Sequence, residues 1–356
     1  MSQFHILKVS DIVRETADTV SLAFDIPTEL KQHYQYKQGQ YLTLKFIIDG
    51  EESRRAYSIC SSPVEEHELR IAIKKVKDGK ISTYINDVIK IGDRIEVMIP
   101  MGNFYTEMDP EHKKNYVLFA GGSGITPILS ILKTVLKSEP FSTITLFYGN
   151  NDEASIIFKK HLDTLASTYS ERLKVFHILN NAPLSYPHLL RGMLTKEKCL
   201  ELIKANVNFA LDNEFFICGP GAMMDNAVAA LKEMKAPESN VHIEYFSAPK
   251  SNEPEQEIIE NVTGAKALII KDGDEYNVEL LPNETILQAA LRIGLDAPYA
   301  CQGGSCCTCR ALLEEGKVKM TVNYALSAAE VEKGYILTCQ SHVTTPNVVV
   351  NYDRGM

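Results

Sequence analysis

Cys301-Gln302-Gly303-Gly304-Ser305-Cys306-Cys307-Thr308-Cys309, answered downstream by Cys339, is the stretch from which the rest of the chain can be read. A C-x4-C-x2-C run with a distant fourth cysteine is the spacing of a 2Fe-2S cluster held by four thiolates. It makes Cys301, Cys306, Cys309 and Cys339 the candidate metal ligands. The two glycines in the first gap let a loop wrap a cluster closely and aim backbone N–H groups at its sulfurs. Cys307 is left over and is expected to pack against the protein. On the residues alone two other readings stay open. A structural zinc site also uses four cysteines, although it favours two short paired spacings. Disulfides would need an oxidising compartment, for which nothing in the chain argues.

A cluster of this kind carries one electron, so something upstream must supply electrons. At 356 residues the chain is long enough for two or three domains, and three are predicted. Hydrophobic residues make up 45% and charged residues 23%, a globular composition, and no apolar run is long enough to span a bilayer. The start, Met1-Ser2-Gln3-Phe4-His5, shows neither the basic nor the apolar region of a signal peptide. With eight cysteines, four of them assigned as thiolates, a reducing cytoplasm is the expected location. A net charge of −9 disfavours nucleic acid or an anionic membrane as partner. The nine histidines show neither H-x3-H nor H-E-x-x-H spacing, so no metal beyond the cluster is indicated.

The first hundred residues alternate in short runs rich in Val, Ile, Phe, Tyr and Thr: 4–9, 19–26, 41–48, 54–60, 69–76 and 94–99. Each ends at a Pro, Gly or Asp, which predicts an antiparallel β-barrel with one helical insert at 81–89. Within it Arg55-Ala56-Tyr57-Ser58 offers an Arg for phosphate and a Tyr for packing an aromatic ring, which would suit a flavin nucleotide. Gly79-Lys80-Ile81-Ser82-Thr83 opens the helix, where exposed N–H groups make a pyrophosphate site. An ordinary strand and an ordinary helix cap explain the same residues if each is taken alone.

From residue 108 strands alternate with helices, predicting an α/β domain with a parallel sheet. Predicted strands at 116–120, 143–148, 173–178, 215–218 and 241–246 frame two turns. Gly121-Gly122-Ser123-Gly124-Ile125-Thr126-Pro127 follows the first strand and opens a helix with a 3.6-residue apolar period, the place where a pyrophosphate binds. Cys218-Gly219-Pro220-Gly221 ends the fourth strand and opens another helix. Carboxyl ends of parallel strands converge on one crevice, so the two turns are expected to face the same ligand. Asn150-Asn151 and Asn180-Asn181 stand where an Arg would mark NADP, with Lys159, Lys160 and Arg191 as nearby basic candidates, so the nucleotide is read as NAD(P)H.

Residues 249–261, polar, charged and Pro-bearing, read as a linker. Beyond it, strands at 265–271 and 275–281 around an Asp272-Gly273-Asp274 turn make a hairpin, and Asn283 is expected to cap a helix over 284–293. The cluster loop, a short helix near Ala328 and closing strands at 335–338 and 348–352 complete an α+β domain.

In this order the motifs resemble the ferredoxin–NADP reductase superfamily with a C-terminal plant-type 2Fe-2S ferredoxin. The resemblance rests on R-x-Y-S, G-x-x-S, G-G-S-G-I-T-P, C-G-P and Glu244-Tyr245-Phe246. Pro298-Tyr299-Ala300-Cys301, Val322-Asn323-Tyr324-Ala325-Leu326 and Leu337-Thr338-Cys339-Gln340-Ser341-His342 look like the reductase family of phenylacetyl-CoA 1,2-epoxidase complexes, in phenylacetate catabolism. The resemblance implies an FAD-binding β-barrel over 1–107, an NAD(P)-binding α/β domain over 108–248 and a β-grasp ferredoxin over 262–356. FAD is then held by Arg55, Tyr57, Ser58, Gly79, Ser82 and Thr83, and the nucleotide, with NADPH slightly favoured, by Gly121, Gly122, Gly124, Thr126, Cys218, Gly219 and Pro220. Cys218, Glu244, Phe246 and Thr126 become the candidate catalytic set, with Cys218 near the nicotinamide, Phe246 near the flavin and Glu244 near its redox-active edge. The activity implied is electron transfer from NAD(P)H through FAD and the cluster to an oxygenase, expected to be the di-iron phenylacetyl-CoA epoxidase. Another hydroxylase, a Rieske dioxygenase or a hybrid-cluster protein is the alternative acceptor. A redox sensor without turnover is the alternative of a different class.

Overall fold

The computed structural model describes residues 4–66, 68–246 and 261–355. The linker expected at 249–261 lies outside the described residues except for Asn261. The chain forms two compact units. The larger is Ile6–Ser53 with Tyr57–Glu244, and the smaller is the described part of Met1–His5, Arg54–Ala56 and Tyr245–Met356.

The strands of the first hundred residues are β1 (Phe4–Thr16), β2 (Thr19–Asp25), β3 (Tyr41–Ile48), β4 (Glu51–Ser58), β5 (Leu69–Lys74) and β6 (Arg94–Met98), with helix α1 at Lys80–Asp87. They form one six-stranded sheet in the order β4-β3-β6-β1-β2-β5, antiparallel as the alternating pattern predicts. β1 runs far beyond the predicted 4–9 because register irregularities at Val9/Asp11 and Arg14/Thr16 let it stay paired with β2. The edge strands approach each other through a bridge, Ile59 to Ile71, and among the described residues no continuous ladder closes the sheet into the expected barrel. Leu7, Leu22, Leu42, Leu44, Ile71 and Val97 fill its interior.

The second half of this unit alternates β7 (Asn115–Gly121), α2 (Ile125–Ser138), β8 (Thr143–Asn150), α3 (Lys159–Thr168), β9 (Leu173–Leu179), α4 (Lys196–Asn206), β10 (Asn213–Cys218), α5 (Gly221–Glu233) and β11 (Val241–Glu244). The sheet is parallel, in the order β11-β10-β7-β8-β9. β7, at its centre, is buried at every position, because helices cover both faces of such a sheet. α2 is buried on more than its apolar stripe. Ser130 donates to the Ser61 carbonyl at 2.6 Å, Ser62 and Thr134 share a hydrogen bond of 2.9 Å, and Lys133 meets Glu66 at 2.5 Å. Polar residues of one helix thus fasten the two halves of the unit, which a periodicity of apolar residues does not register.

In the smaller unit β12 (Lys266–Lys271) and β13 (Asp274–Glu279) form the predicted hairpin. Asp272 and Gly273 take positive φ in its turn, and both backbone N–H groups donate to Asp353. α6 is Ile286–Arg292, and here the expected cap is corrected. Asn283 lies before the helix at φ 60°, whereas Thr285 caps it in a box with Gln288, each side chain accepting the other's backbone N–H. Thr285-x-x-Gln288 is the stronger signal, because it satisfies two orphan donors at once. β14 (Arg310–Glu315), β15 (Val318–Met320), α7 (Ala328–Glu332), β16 (Tyr335–Leu337), β17 (Ser341–Val343) and β18 (Asn347–Asn351) follow. A five-stranded sheet, β13-β12-β18-β14-β16, has its one parallel pair at β12 and β18, and β15 pairs with β17 alongside.

Candidate functional site

Each predicted glycine-rich turn sits at the carboxyl end of a buried strand, and the two turns are packed on one another. A Cβ on Gly124 would lie 2.1 Å from the Cys218 carbonyl oxygen, and one on Gly121 would lie 2.6 Å from Pro220 Cδ. A Cβ on Gly219 would come within 2.9 Å of the Gly121 nitrogen. No side chain fits there, so backbone approaches backbone, and no side chain caps the start of α2. Gly122, with φ 52°, provides the bend, and its carbonyl accepts from Tyr148 Oη at 3.0 Å. The Thr126 hydroxyl is spent inside the turn, donating to the Ser123 carbonyl at 3.0 Å.

Cys218 is fully buried, and burial, followed by the nearby Glu244 carboxylate, pushes its thiol well above the ordinary range. It pairs in register with Glu244 on β11. The Glu244 carboxyl is pushed up to about 8 by the loss of water around it, partly offset by Ser58, whose hydroxyl donates to it at 3.2 Å. Glu244 keeps some open surface, yet its carboxyl end is enclosed enough for desolvation to dominate. Ser58 closes β4, so the Arg-x-Tyr-Ser strand and the last strand of the parallel sheet meet at a hydrogen bond between residues far apart in sequence. Nothing in the local sequence announces that pairing.

At the other predicted flavin contact, Gly79 stands at the N-cap of α1 in an extended conformation, and a Cβ there would lie 2.6 Å from Ser82 Oγ. The Ser82 hydroxyl accepts from Val76 N at 3.1 Å and is buried, so it shapes the turn, while Thr83 is half-buried. Tyr57 is half-buried, Arg55 is exposed with Nη1 donating to the Arg54 carbonyl, and Phe246 is 44% exposed.

In the smaller unit Cys306, Cys309 and Cys339 are buried and Cys301 is half-buried. Their sulfurs converge in pairs: Cys301 is close enough for hydrogen bonding to Cys306 and Cys339, and Cys309 to Cys339. Among the described residues no three such donors gather as a site for a single metal ion. Gly303 N–H donates to Cys301 Sγ at 3.3 Å, and Gln340 Nε2 lies 3.6 Å from Cys339 Sγ. Gly304 takes φ 73°, and a Cβ there would meet Val322 at 2.9 Å. Behind the loop Thr338 donates to the Cys309 carbonyl at 2.9 Å and is itself held by Tyr352 Oη at 3.0 Å. Thr338 lies within the Leu337–His342 motif, which assigns it no role, and no role is assigned to Tyr352. Cys307 is buried, as expected of the extra thiol.

Three family models match in the order the motifs predict. An oxidoreductase FAD-binding domain covers residues 6–105, an oxidoreductase NAD-binding domain 118–229 and a 2Fe-2S iron-sulfur cluster binding domain 269–344. The chain is 40% identical, over 100% of both sequences, to a subunit of the 1,2-phenylacetyl-CoA epoxidase of Escherichia coli (strain K12). It belongs to the ferredoxin-reductase components of oxygenase systems. Another relative of this reductase, the ferredoxin reductase component of 3-ketosteroid-9-alpha-monooxygenase from Mycobacterium tuberculosis, is 36% identical over 98% of the chain and 96% of the relative. A solved phthalate dioxygenase reductase has the same fold, with a TM-score of 0.58, 23% identity and 98% of each chain covered. The reductase is therefore an oxidoreductase that uses NAD(P)H, FAD and a 2Fe-2S cluster. Among its described residues no helix is long and apolar enough to cross a membrane.

Proposed function

We propose that this reductase supplies electrons to a di-iron oxygenase of the phenylacetyl-CoA epoxidase kind, in the cytoplasm. The observation that carries the choice of partner is the 40% identity to the epoxidase component over the whole of both chains. The 36% identity to a 3-ketosteroid monooxygenase component supports a second reading, in which the acceptor is a different oxygenase.

The work is divided among an FAD domain over 1–107, a nucleotide domain over 108–248, a linker over 249–261 and a ferredoxin domain over 262–356. Arg55, Tyr57 and Ser58, with Gly79, Ser82 and Thr83 at the start of α1, hold FAD. Support comes from a helix start that no side chain caps and from the tight space around Gly79. Gly121, Gly122, Gly124 and Thr126, with Cys218, Gly219 and Pro220, hold the nucleotide, and the backbone cradle where the turns meet supports this. Cys301, Cys306, Cys309 and Cys339 hold the cluster, a role supported by a donor set of thiols with N–H groups directed at sulfur.

Bound FAD would accept two electrons from NAD(P)H as a hydride, and a 2Fe-2S cluster would pass them on singly at a potential near −400 mV, typical of plant-type centres. The chain's own contribution is placement and charge. Glu244, largely protonated at neutral pH, presents a neutral carboxyl beside Ser58 and so adds no full negative charge to the end of β11. Cys218, kept as a thiol, contributes volume without charge, and Phe246 offers an aromatic face.

Anaerobic stopped-flow mixing with NAD(P)H tests the electron path: flavin absorbance should bleach and cytochrome c should then be reduced. The partner is tested by adding a purified di-iron phenylacetyl-CoA epoxidase. Cytochrome c reduction without support of epoxidation would leave the reductase standing and remove this partner.

A further inference from the structure

Behind the cluster loop two buried hydroxyls form a chain that ends on one of the candidate ligands. β14 and β16 run antiparallel with Arg310 opposite Leu337, so Cys309 and Thr338 fall on the next rung. There the Cys309 carbonyl accepts twice from Thr338, from its backbone N–H at 3.2 Å and from its hydroxyl at 2.9 Å. The same hydroxyl is within hydrogen-bonding reach of the Cys309 sulfur. Tyr352 Oη completes the chain by donating to Thr338 Oγ1 at 3.0 Å. Thr338 is fully buried, and Cys309 and Tyr352 are each 1% exposed, so water does not compete for these bonds.

Tyr352 is held from several sides. It follows β18, and its N–H donates to the Ile270 carbonyl of β12 at 2.9 Å. The next residue, Asp353, accepts from the N–H groups of Asp272 and Gly273 in the hairpin turn at 2.7 and 2.9 Å. Arg310, directly after Cys309, donates through Nε to the Gly355 carbonyl at 2.6 Å, and a Cβ on Gly355 would lie 2.2 Å from the Arg310 oxygen. Residues 352–355 thus clasp both the β12–β13 turn and the start of β14. A phenol anchored in this way gives Thr338 one fixed partner.

A hydroxyl carries one proton and accepts through its lone pairs. With one lone pair of Thr338 Oγ1 taken by the Tyr352 proton, the Thr338 proton is directed to Cys309. A donor that itself accepts a hydrogen bond is polarised into a stronger one. Both O–H dipoles then turn their positive ends toward Cys309. Reduction adds an electron to a cluster, and donors facing its ligands favour the more negative, reduced state.

We propose that Tyr352 is a positioning residue for the 2Fe-2S centre: its hydroxyl fixes and strengthens the Thr338 hydroxyl as a donor to Cys309, and so raises the reduction potential of the cluster. The inference rests on the cluster ligands given under Proposed function. It adds to them a residue 43 positions from Cys309 that touches no ligand itself and acts through Thr338.

The test is a redox titration of the intact holoprotein with dithionite and mediators, the reduced cluster being read by electron paramagnetic resonance apart from the flavin. At a fixed applied potential, Thr338→Val should lower the ratio of reduced to oxidised cluster roughly tenfold, which is ~59 mV for one electron. Tyr352→Phe, which keeps the ring, should lower it roughly threefold, about 28 mV. Thr338→Ser keeps the donor and should stay near wild type. In the Thr338→Val background the Tyr352→Phe shift should shrink to less than half, since the relay is already broken. An unchanged or raised potential in Tyr352→Phe, a Thr338→Ser potential as low as that of Thr338→Val, or the same Tyr352→Phe shift in both backgrounds would overturn the proposal. Should Tyr352→Phe assemble no cluster, the comparison of Thr338→Val with Thr338→Ser decides alone, equal potentials again refuting the relay. Absence of cluster absorbance in wild type would instead remove the ligand assignment itself, a result separate from any shift in potential.

Discussion

Gly124→Ala is the sharpest probe of the nucleotide site. Its new methyl would lie 2.1 Å from the Cys218 oxygen and 2.4 Å from the Cys218 carbonyl carbon, both of them backbone atoms. Relief requires the start of α2 or the end of β10 to move by about 1 Å, and overpacking of this type costs about 1–3 kcal/mol. For a unit of this size each kcal/mol lowers Tm by about 2–4 °C, so a mid-range cost gives a drop of roughly 4–8 °C. Displacement of the turn also misplaces the nucleotide, and kcat/KM for NAD(P)H should fall on the order of 100-fold. Gly149→Ala, on the neighbouring strand, is the comparison: its methyl meets only the end of the Leu194 side chain, at 3.1 Å, and should cost less than about 1 kcal/mol. Thermal melts followed by circular dichroism and steady-state cytochrome c reduction read both effects. Wild-type melting and kcat/KM in Gly124→Ala would refute the packing of the two turns.

Further outcomes follow from the same geometry. Glu244 binds its proton more tightly folded than unfolded, so between its ordinary value of 4.5 and about 8 the folded state loses stability as pH rises. Denaturant melts at pH 5.5, 7 and 8.5 should show that slope weakened in Glu244→Gln, and an identical slope in both proteins would contradict the enclosed carboxyl. Cys309→Ser should remove cluster absorbance and cytochrome c reduction while NAD(P)H still bleaches the flavin; survival of all three would discard the ligand assignment. Lys133 is 4% exposed and Glu66 32%, so Glu66→Gln should cost about 1–3 kcal/mol by stranding a buried ammonium, and adding Lys133→Met should recover part of it. Urea unfolding of the two single variants and the double variant measures that coupling.

How much is legible in the sequence depends on the range of the interaction. The cluster spacing, the two glycine-rich turns and the strand–helix alternation are local patterns, and they identify the antiparallel, parallel and ferredoxin-like parts with most element ends within a few residues. Asn283 misleads as a cap because two short polar residues compete there, and the reciprocal Thr285–Gln288 box is the better partner for the helix end. β1 reads short because bulges conceal continued pairing behind a break in alternation.

By itself the sequence determined which chemistry this reductase carries, because ligand spacing and glycine position are properties of a few consecutive residues. The tertiary structure alone decided that Gly124 abuts the Cys218 carbonyl, that Ser58 meets Glu244, and that Thr338 and Tyr352 stand behind Cys309. Those arrangements depend on strand order and register, which bring together residues tens to hundreds of positions apart. No local spacing encodes such pairings, since they arise only when buried strands settle side by side.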